Sequence, residues 1–481
     1  MFYLPLVKKI IAILALFLAG NIVFSQDTLL LQLVDFPAAE PVLVKTDIDT
    51  VLSKFNFELA AGLDRSREIS NLGYSAILNY SNIYKNEKNR LKVSITGAVF
   101  HFPEFNKRFL DSLGVLPNFG RVLTPDSGAT AFAALPEIVY SRKLGNHFTW
   151  SAGNSRQNLG YGYRSLILSS SASALPFMKL ETKIGKKITF TNLWSRTHSL
   201  QRMQDHFDLN PKYVAVHALE WKINKKWSVS AHEMVVWQAR DSASRRELDL
   251  HYLNPFLFYR PAEFSQGSAD NVLLGASGMY KHSEEFELYG QVILDEFLMS
   301  EIRNRNGWWG NKFGMQLGMR LTPKKVEGLS VLTEWSFVRP FTYTHGSDVQ
   351  AWEHMGQPLA HPLGANFYEW YTSANYSREK WNYSASIVWG AFGRDTNRNV
   401  GGNIFQSYVN PWSVYGNNIL QGNRSTLFVV NAEAAYQMTT NLEVFGFARY
   451  RSEDRRVDPF KEAWLMVGIR KGLRQVRRWD Y

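Results

Sequence analysis

Phe313-Gly314-Met315-Gln316-Leu317-Gly318-Met319-Arg320-Leu321 alternates without a break between large apolar residues and small or polar ones. Successive side chains of an extended chain point to opposite faces. Phe313, Met315, Leu317, Met319 and Leu321 therefore share one face, and Gly314, Gln316, Gly318 and Arg320 the other. The same alternation recurs over 286–295, 329–337, 178–184 and 381–389. It predicts β-strands with one apolar and one polar face. Several carry an aromatic residue near an end, where a membrane–water interface favours one.

The connections extend this reading. Very short polar turns join many strand pairs, among them Leu144-Gly145-Asn146, Gly185-Lys186-Lys187, Asn224-Lys225-Lys226, Thr322-Pro323-Lys324-Lys325 and Met438-Thr439-Thr440-Asn441. Longer loops are expected between them at 102–135, 154–176, 197–212, 238–271, 296–312, 339–365 and 391–424. Short and long connections should alternate without a break from residue 136 to residue 441. A soluble sandwich has no reason to keep that parity. An outer-membrane barrel does, with short periplasmic turns, long extracellular loops and an even strand number. The expected fold is all-β: a transmembrane, antiparallel outer-membrane β-barrel of about 18 strands, its long extracellular loops partly plugging the lumen. One segment breaks the pattern. Phe445 and Phe447 share a face with Glu443 and Arg449, which calls for a bulge or for aromatic residues inside the lumen.

Composition agrees. The 481 residues include no cysteine, which excludes a disulfide scaffold, a zinc–cysteine site, a cysteine nucleophile and a lipid-anchoring cysteine. Aromatics make up 14%, fitting a wall with aromatic girdles. Lys+Arg 54 against Asp+Glu 43 gives +11. Lys8 and Lys9 precede an apolar run from Ile10 to Gly20, then Val23-Phe24-Ser25 and Gln26. That is the pattern of a secretory signal peptide over 1–25, cleaved after Ser25. A periplasmic lead-in over 26–53, a barrel over 54–473 and a periplasmic tail over 474–481 are expected to follow.

The chemistry-bearing clusters each have a structural alternative. Loop 238–271 holds His251-Tyr252-Leu253-Asn254-Pro255-Phe256-Leu257-Phe258-Tyr259-Arg260-Pro261-Ala262-Glu263-Phe264, then Asp270 and Asn271. It reads either as a carbohydrate-facing surface, with Arg260 toward a sugar carboxylate, or as a packed plug pairing Arg260 with Glu263 or Asp270. Asp295-Glu296 and Glu284-Glu285 resemble glycosidase carboxylates. Neighbours on a strand point apart, however, so neither pair makes a site by itself. His345, His354 and His361 read as loop or lumen histidines rather than as a metal site. Asp395, Asn397 and Asn399 give a weak calcium-loop pattern with no closing acidic residue. Gly160-Tyr161-Gly162 has no helix after it and is not a nucleotide loop. No nucleophile–base pair stands out, so no enzyme, cofactor or metal is expected. The basic excess is too dispersed for nucleic acid.

Five segments resemble the capsule-assembly Wzi-like outer-membrane family, in particular its Bacteroidetes gliding-motility RemB-type branch. They are Arg156 to Pro176, the 251–275 cluster, Leu288 to Phe297, Gly307-Trp308-Trp309-Gly310-Asn311-Lys312, and Val338-Arg339-Pro340 with Gln357-Pro358-Leu359-Ala360-His361-Pro362-Leu363-Gly364. Two differences stand beside them. Leu159-Gly160-Tyr161-Gly162 replaces the Trp-Gly-Pro of enterobacterial members, and 26–53 leaves little room for their periplasmic helical bundle. The resemblance implies an 18-stranded, non-enzymatic barrel that binds or anchors exported polysaccharide, with a role in capsule assembly or gliding. An acidic glycan would meet Arg156, Arg164, Arg260 and Arg339 and stack on Trp308, Trp309 and Trp352. Tyr259, Glu263, Asp270, Asn271 and Asp295 complete the candidate set. Expected partners are that polysaccharide, outer-membrane lipid, and motility or secretion-system proteins.

Overall fold

The structure is a computed structural model that describes residues 50–66, 69–102, 114–125, 129–202, 207–240, 249–254, 270–455 and 459–473. The expected signal peptide, the lead-in before residue 50 and the 474–481 tail lie outside the described residues.

Eighteen strands form one sheet. They are β1 Thr50–Ser66, β2 Ile69–Lys85, β3 Asn89–His101, β4 Thr130–Leu144, β5 Phe148–Ser155 and β6 Leu175–Ile184. Then come β7 Ile188–Arg202, β8 Phe207–Lys222, β9 Trp227–Gln238, β10 Asn271–Lys281, β11 Phe286–Leu294 and β12 Phe313–Leu321. The last are β13 Leu329–Val338, β14 Phe367–Arg378, β15 Trp381–Arg394, β16 Asn423–Gln437, β17 Leu442–Arg455 and β18 Phe460–Lys471. Each strand pairs antiparallel with the next, as in Gly314↔Val338 between β12 and β13. β18 returns to β1 from Phe57↔Lys471 to Ser66↔Glu462, which closes the sheet. A closed barrel has no unpaired edge, the condition for crossing a bilayer with strands.

Alternation assigns the faces. On β12, Met315 and Leu317 are 39% and 58% exposed, whereas Gln316 is 1% exposed. The apolar side therefore faces outward, to lipid, and the polar side faces the lumen. Trp335, Trp370, Trp389 and Phe428 lie outward at directly paired positions on β13 to β16. At the other end Trp381 packs 5.0 Å from Tyr436, and Trp227 lies 4.6 Å from Tyr280. Trp381 and Trp389 sit on the same strand. Their separation corresponds to about 26 Å along the chain and, at a ~40° tilt, about 20 Å of membrane depth. This is close to the ~25 Å apolar band of such barrels.

The structure resolves the irregular segment in β17. Its ladders to β16 and β18 run without a bulge. Phe445, 2% exposed, faces the lumen with Glu443 and Arg449, while Val444 and Tyr450 face out. One expectation is corrected. Residues 197–212 are not a long loop: β7 runs to Arg202 and β8 starts at Phe207, so they form a tall hairpin. Above the bilayer an outward side chain need not be apolar, so alternation fades before the strands end.

The lumen holds the core. Leu166, Ile167 and Leu168, from the loop after β5, pack with Val216, Met234, Leu273, Ile293 and Phe367 of the wall and with Tyr343 and Trp352 of the loop after β13. On the opposite side Leu116 and Phe119, from the loop after β3, pack with Phe100, Phe445, Trp464 and Met466.

Candidate functional site

The loop after β5 crosses the lumen as a strap. Glu334 of β13 accepts hydrogen bonds from the backbone N–H groups of Tyr163 (2.6 Å) and Arg164 (3.1 Å) and from the Tyr289 hydroxyl (2.7 Å). Gln291 of β11 accepts from the Leu166 N–H at 3.0 Å, and Gln316 donates to the Arg164 carbonyl at 2.9 Å. Arg164 forms an ion pair with Glu369 of β14 at 2.6 Å and lies over the Tyr371 ring at 4.0 Å. The Tyr161 hydroxyl donates to Glu220 of β8 at 3.1 Å, and burial raises the pKa of that hydroxyl. Gly162 makes this close seating possible, because a Cβ there would lie 1.9 Å from Gln316 Oε1.

The loop after β13 locks the strap from above. Tyr343 and Trp352 donate from their side chains to the carbonyls of Leu166 (2.7 Å) and Ile167 (2.9 Å). Lys212, on β8, reaches Glu353 at 2.6 Å. Burial pushes the Glu353 carboxyl up despite that partner. Asp295 accepts from the Tyr343 N–H at 2.8 Å and lies 3.2 Å from Lys312. Burial outweighs the lysine and raises Asp295 to about 6. The three loop histidines go separate ways. His345 packs on Tyr408 at 5.6 Å, His354 accepts from the His198 N–H at 3.1 Å, and His361 meets Glu369 at 3.0 Å. Burial lowers His345 to about 4 and His354 to about 3. Among the described residues no three His, Asp or Glu side chains converge as metal ligands.

Several sequence-predicted site residues therefore belong to the plug. Arg164 is 2% exposed and paired, and Trp352 is 0% exposed, so it offers no stacking face. Asp295 is held as described. Asp270 accepts from the Tyr252 hydroxyl (2.7 Å) and from Gln350 (3.2 Å), and Asn271 donates to the Gln350 carbonyl. Arg339 donates to the Asn311 carbonyl at 2.7 Å and ties two loops together. Arg156, partly exposed, lies 3.6 Å from Glu137. Tyr259, Arg260 and Glu263 lie outside the described residues. The described part of their loop includes helix α1, Leu250–Leu253. Its Tyr252 packs on Trp194, Ala215, Val235 and Trp237, on the outward side of β7 to β9, rather than in the lumen.

What the loops leave open is an aromatic surface. The loops after β11 and β15 are joined by backbone hydrogen bonds from Trp309 to Val414 (3.0 Å), Gly416 to Asn306 (2.8 Å) and Asn417 to Gly307 (2.8 Å). Gly307 adopts φ 68°, and a Cβ there would lie 2.8 Å from the Asn417 nitrogen. This pairing sets the partly exposed Trp308 and Trp309 beside Trp412 and Tyr415, which are 44% and 51% exposed. Arg398 lies over the Trp412 ring at 5.9 Å, exposed Arg303 stands in the last turn of helix α2, Met299–Asn304, and exposed Arg305 caps it. Trp309 is partly occupied, packing at a tilt against Tyr408 with ring centroids 4.9 Å apart. Sequence reasoning missed Trp412 and Tyr415 because it read that loop only for calcium. The Asp395 carboxylate instead accepts the N–H groups of Val400, Gly402 and Asn403 and shapes a turn. Two aromatics within a long Asn- and Gly-containing loop were the available signal.

No protein-family model matches the chain, and no curated protein matches it. Among solved structures it is similar to Wzi of Escherichia coli, an outer-membrane protein involved in group 1 capsule assembly and described as a carbohydrate-binding β-barrel. That match has TM-score 0.53 and 12% identity over 87% of this chain and 84% of that one. Pseudomonas aeruginosa OpdK with vanillate matches at TM-score 0.47 and 8% identity, over 87% and 98% of the two chains. Acinetobacter baumannii OccAB4 matches at 0.46 and 8%, over 89% and 100%. The fold is that of an outer-membrane β-barrel.

Proposed function

We propose that this protein is a non-enzymatic outer-membrane barrel whose extracellular loops bind surface polysaccharide, in capsule assembly or in gliding of the RemB type. The observation that carries the reading is the joined pair of loops presenting Trp308, Trp412 and Tyr415 beside arginines. Aromatic faces stack on sugar rings, and guanidinium groups recognise carboxylates bidentately. Glycan binding by the E. coli neighbour is in keeping with this. A structural partnership within a motility or secretion assembly is compatible with the same surface.

The test is calorimetric titration of the purified full-length chain with an acidic polysaccharide such as polygalacturonate, beside neutral dextran. Binding of the acidic polymer, weakened by Trp412→Ala, supports the reading. No binding to either polymer contradicts it. The competing reading is a passive channel. The apolar cores on both sides of the lumen disfavour it, and bilayer conductance of porin size would restore it.

A further inference from the structure

The net charge of +11 is not spread evenly over the rim that carries the short turns. In the turns joining β2–β3, β4–β5, β6–β7 and β8–β9, with their strand ends (84–90, 142–148, 183–188 and 221–227), eleven exposed Lys and Arg side chains face a single acidic residue, Glu87. None of the eleven forms an ion pair among the described residues. On the other half of the rim (281–286, 321–329, 378–381 and 437–442) five cations stand against four acids. There Lys281 pairs with Glu284 at 2.7 Å.

A second observation fixes the height of the crescent. The lysines of its β6–β7 and β8–β9 turns lie within two residues of the lipid-facing residues that mark the membrane boundary. Lys186 and Lys187 lie in the turn between the outward-facing Ile184 and its partner Ile188, and Lys225 and Lys226 in the turn between the outward-facing Trp221 and Trp227, with Ile184, Trp221 and Trp227 46–52% exposed. Lys143, Lys183 and Lys222, next to outward residues within their strands, turn instead to the lumen side of the rim. One strand residue rises only about 3.3 Å, so the ammonium groups sit at the level of lipid headgroups and can snorkel to them. A soluble partner would be met by charges projecting below the rim. Neutral lipid gives no reason to gather cations on one flank.

We propose that the β2–β9 flank of the periplasmic rim is a contact site for anionic phospholipid of the phosphatidylglycerol class, whose phosphates these lysines hold. This rests on reading the chain as an outer-membrane barrel with its short turns in the periplasm.

The absence of cysteine gives a clean test. A donor dye is placed on Asn224→Cys, within the crescent, or on Thr440→Cys, on the opposite flank. The full chain is reconstituted in nanodiscs holding trace acceptor-labelled phosphatidylglycerol or phosphatidylcholine. Transfer to phosphatidylglycerol should exceed transfer to phosphatidylcholine roughly twofold or more at Asn224, within the ~5-fold that one cation near an anionic surface supplies. It should not do so at Thr440. The preference should vanish near 1 M salt, where the Debye length falls to about 3 Å. It should also vanish on combining Lys186→Glu, Lys187→Glu, Lys225→Glu and Lys226→Glu. Equal transfer on both flanks, or a preference indifferent to salt, overturns the proposal. Salt acts on the unreversed protein, so the result does not depend on how the four-fold variant folds. Failure to enter nanodiscs, with unchanged heat-modifiable gel migration, overturns the barrel-in-membrane reading instead.

Discussion

Replacing Arg164 with alanine should unseat the strap while leaving the barrel wall intact. The Arg164–Glu369 pair has side chains only 3% and 1% exposed and a contact of 2.6 Å. Removing one partner of a buried pair costs about 3–5 kcal/mol, because the other charge stays buried. Here it leaves Glu369 with the neighbouring His361. A cost of that size multiplies the unseated population about 150- to 5,000-fold. The strands are held by a closed ladder that does not involve Arg164, so only the strap should respond. The reporters are the N–H groups of Tyr163 and Arg164, bound to Glu334, and of Leu166, bound to Gln291. Hydrogen exchange of a peptide spanning them, read by mass spectrometry, should accelerate by that factor, with the β12 and β13 peptides unchanged. Removing both charges, as Arg164→Met with Glu369→Leu, should recover much of the protection, since a buried pair exchanged for apolar groups is often neutral. Protection in Arg164→Ala within about twofold of the parent would refute the assignment of Arg164 as the strap's anchor.

Other consequences separate the plug from the surface. Trp412→Ala should weaken acidic-glycan binding roughly 2- to 10-fold in calorimetry, the scale of one aromatic contact, and leave the melting temperature unchanged. Trp352→Ala should do the reverse: about 3–5 kcal/mol of destabilisation from an emptied core site, seen as a lower heat-modification temperature, with glycan affinity retained. Asp295, held near 6 by burial, binds its proton more tightly in the folded state than in the unfolded one. Its contribution to stability is therefore full below about pH 4 and lost as pH rises through about 6. Asp295→Asn should flatten the melting temperature across that window, and an unchanged pH profile would count against the assignment. Gly162→Ala should force Gln316 aside and cost about 1–3 kcal/mol, measured by the same exchange of the strap amides.

The wall was legible in the sequence because lipid imposes a binary choice at every second residue. Phe313 to Leu321 shows it without interruption, and Trp381 to Trp389 places an aromatic at each interface. The rule fails where lipid no longer acts. Between Thr197 and Pro211 the strands stand beyond the bilayer and the alternation fades. At Phe445 an aromatic fills a lumen packed by a loop from elsewhere in the chain. The strap explains why the candidate site was only half legible. Arg164, Asp295 and Trp352 carry the residue types of a glycan site, but those types serve equally well inside a plug. Which role they take depends on Glu369, Tyr343 and Ile167, partners far away in sequence. Trp308 was identifiable because its segment combines tryptophan with glycines that allow close backbone approach.

The way the lumen is filled bears on what the barrel does. A gate that opens in use should rest on few and replaceable contacts, so that its two states differ by only a few kcal/mol. The strap has the opposite construction. Glu334 alone receives three donors, Gln291 and Gln316 engage its backbone, and the loop after β13 caps it through Tyr343 and Trp352. Each of these net hydrogen bonds adds about 0.5–1.5 kcal/mol, and the ion pair adds the penalty of its own rupture. Asp295 extends the network to the base of the loop that carries Trp308. The plug and the aromatic surface are thus one mechanical body, in which the lumen's polar wall holds the loops rigid and the rigid loops hold the aromatic faces in place. Rigid presentation lowers the entropy lost on binding. Reading the barrel as a pedestal for its loops accounts for both the closed interior and the exposed aromatics, whereas reading it as a conduit accounts for neither.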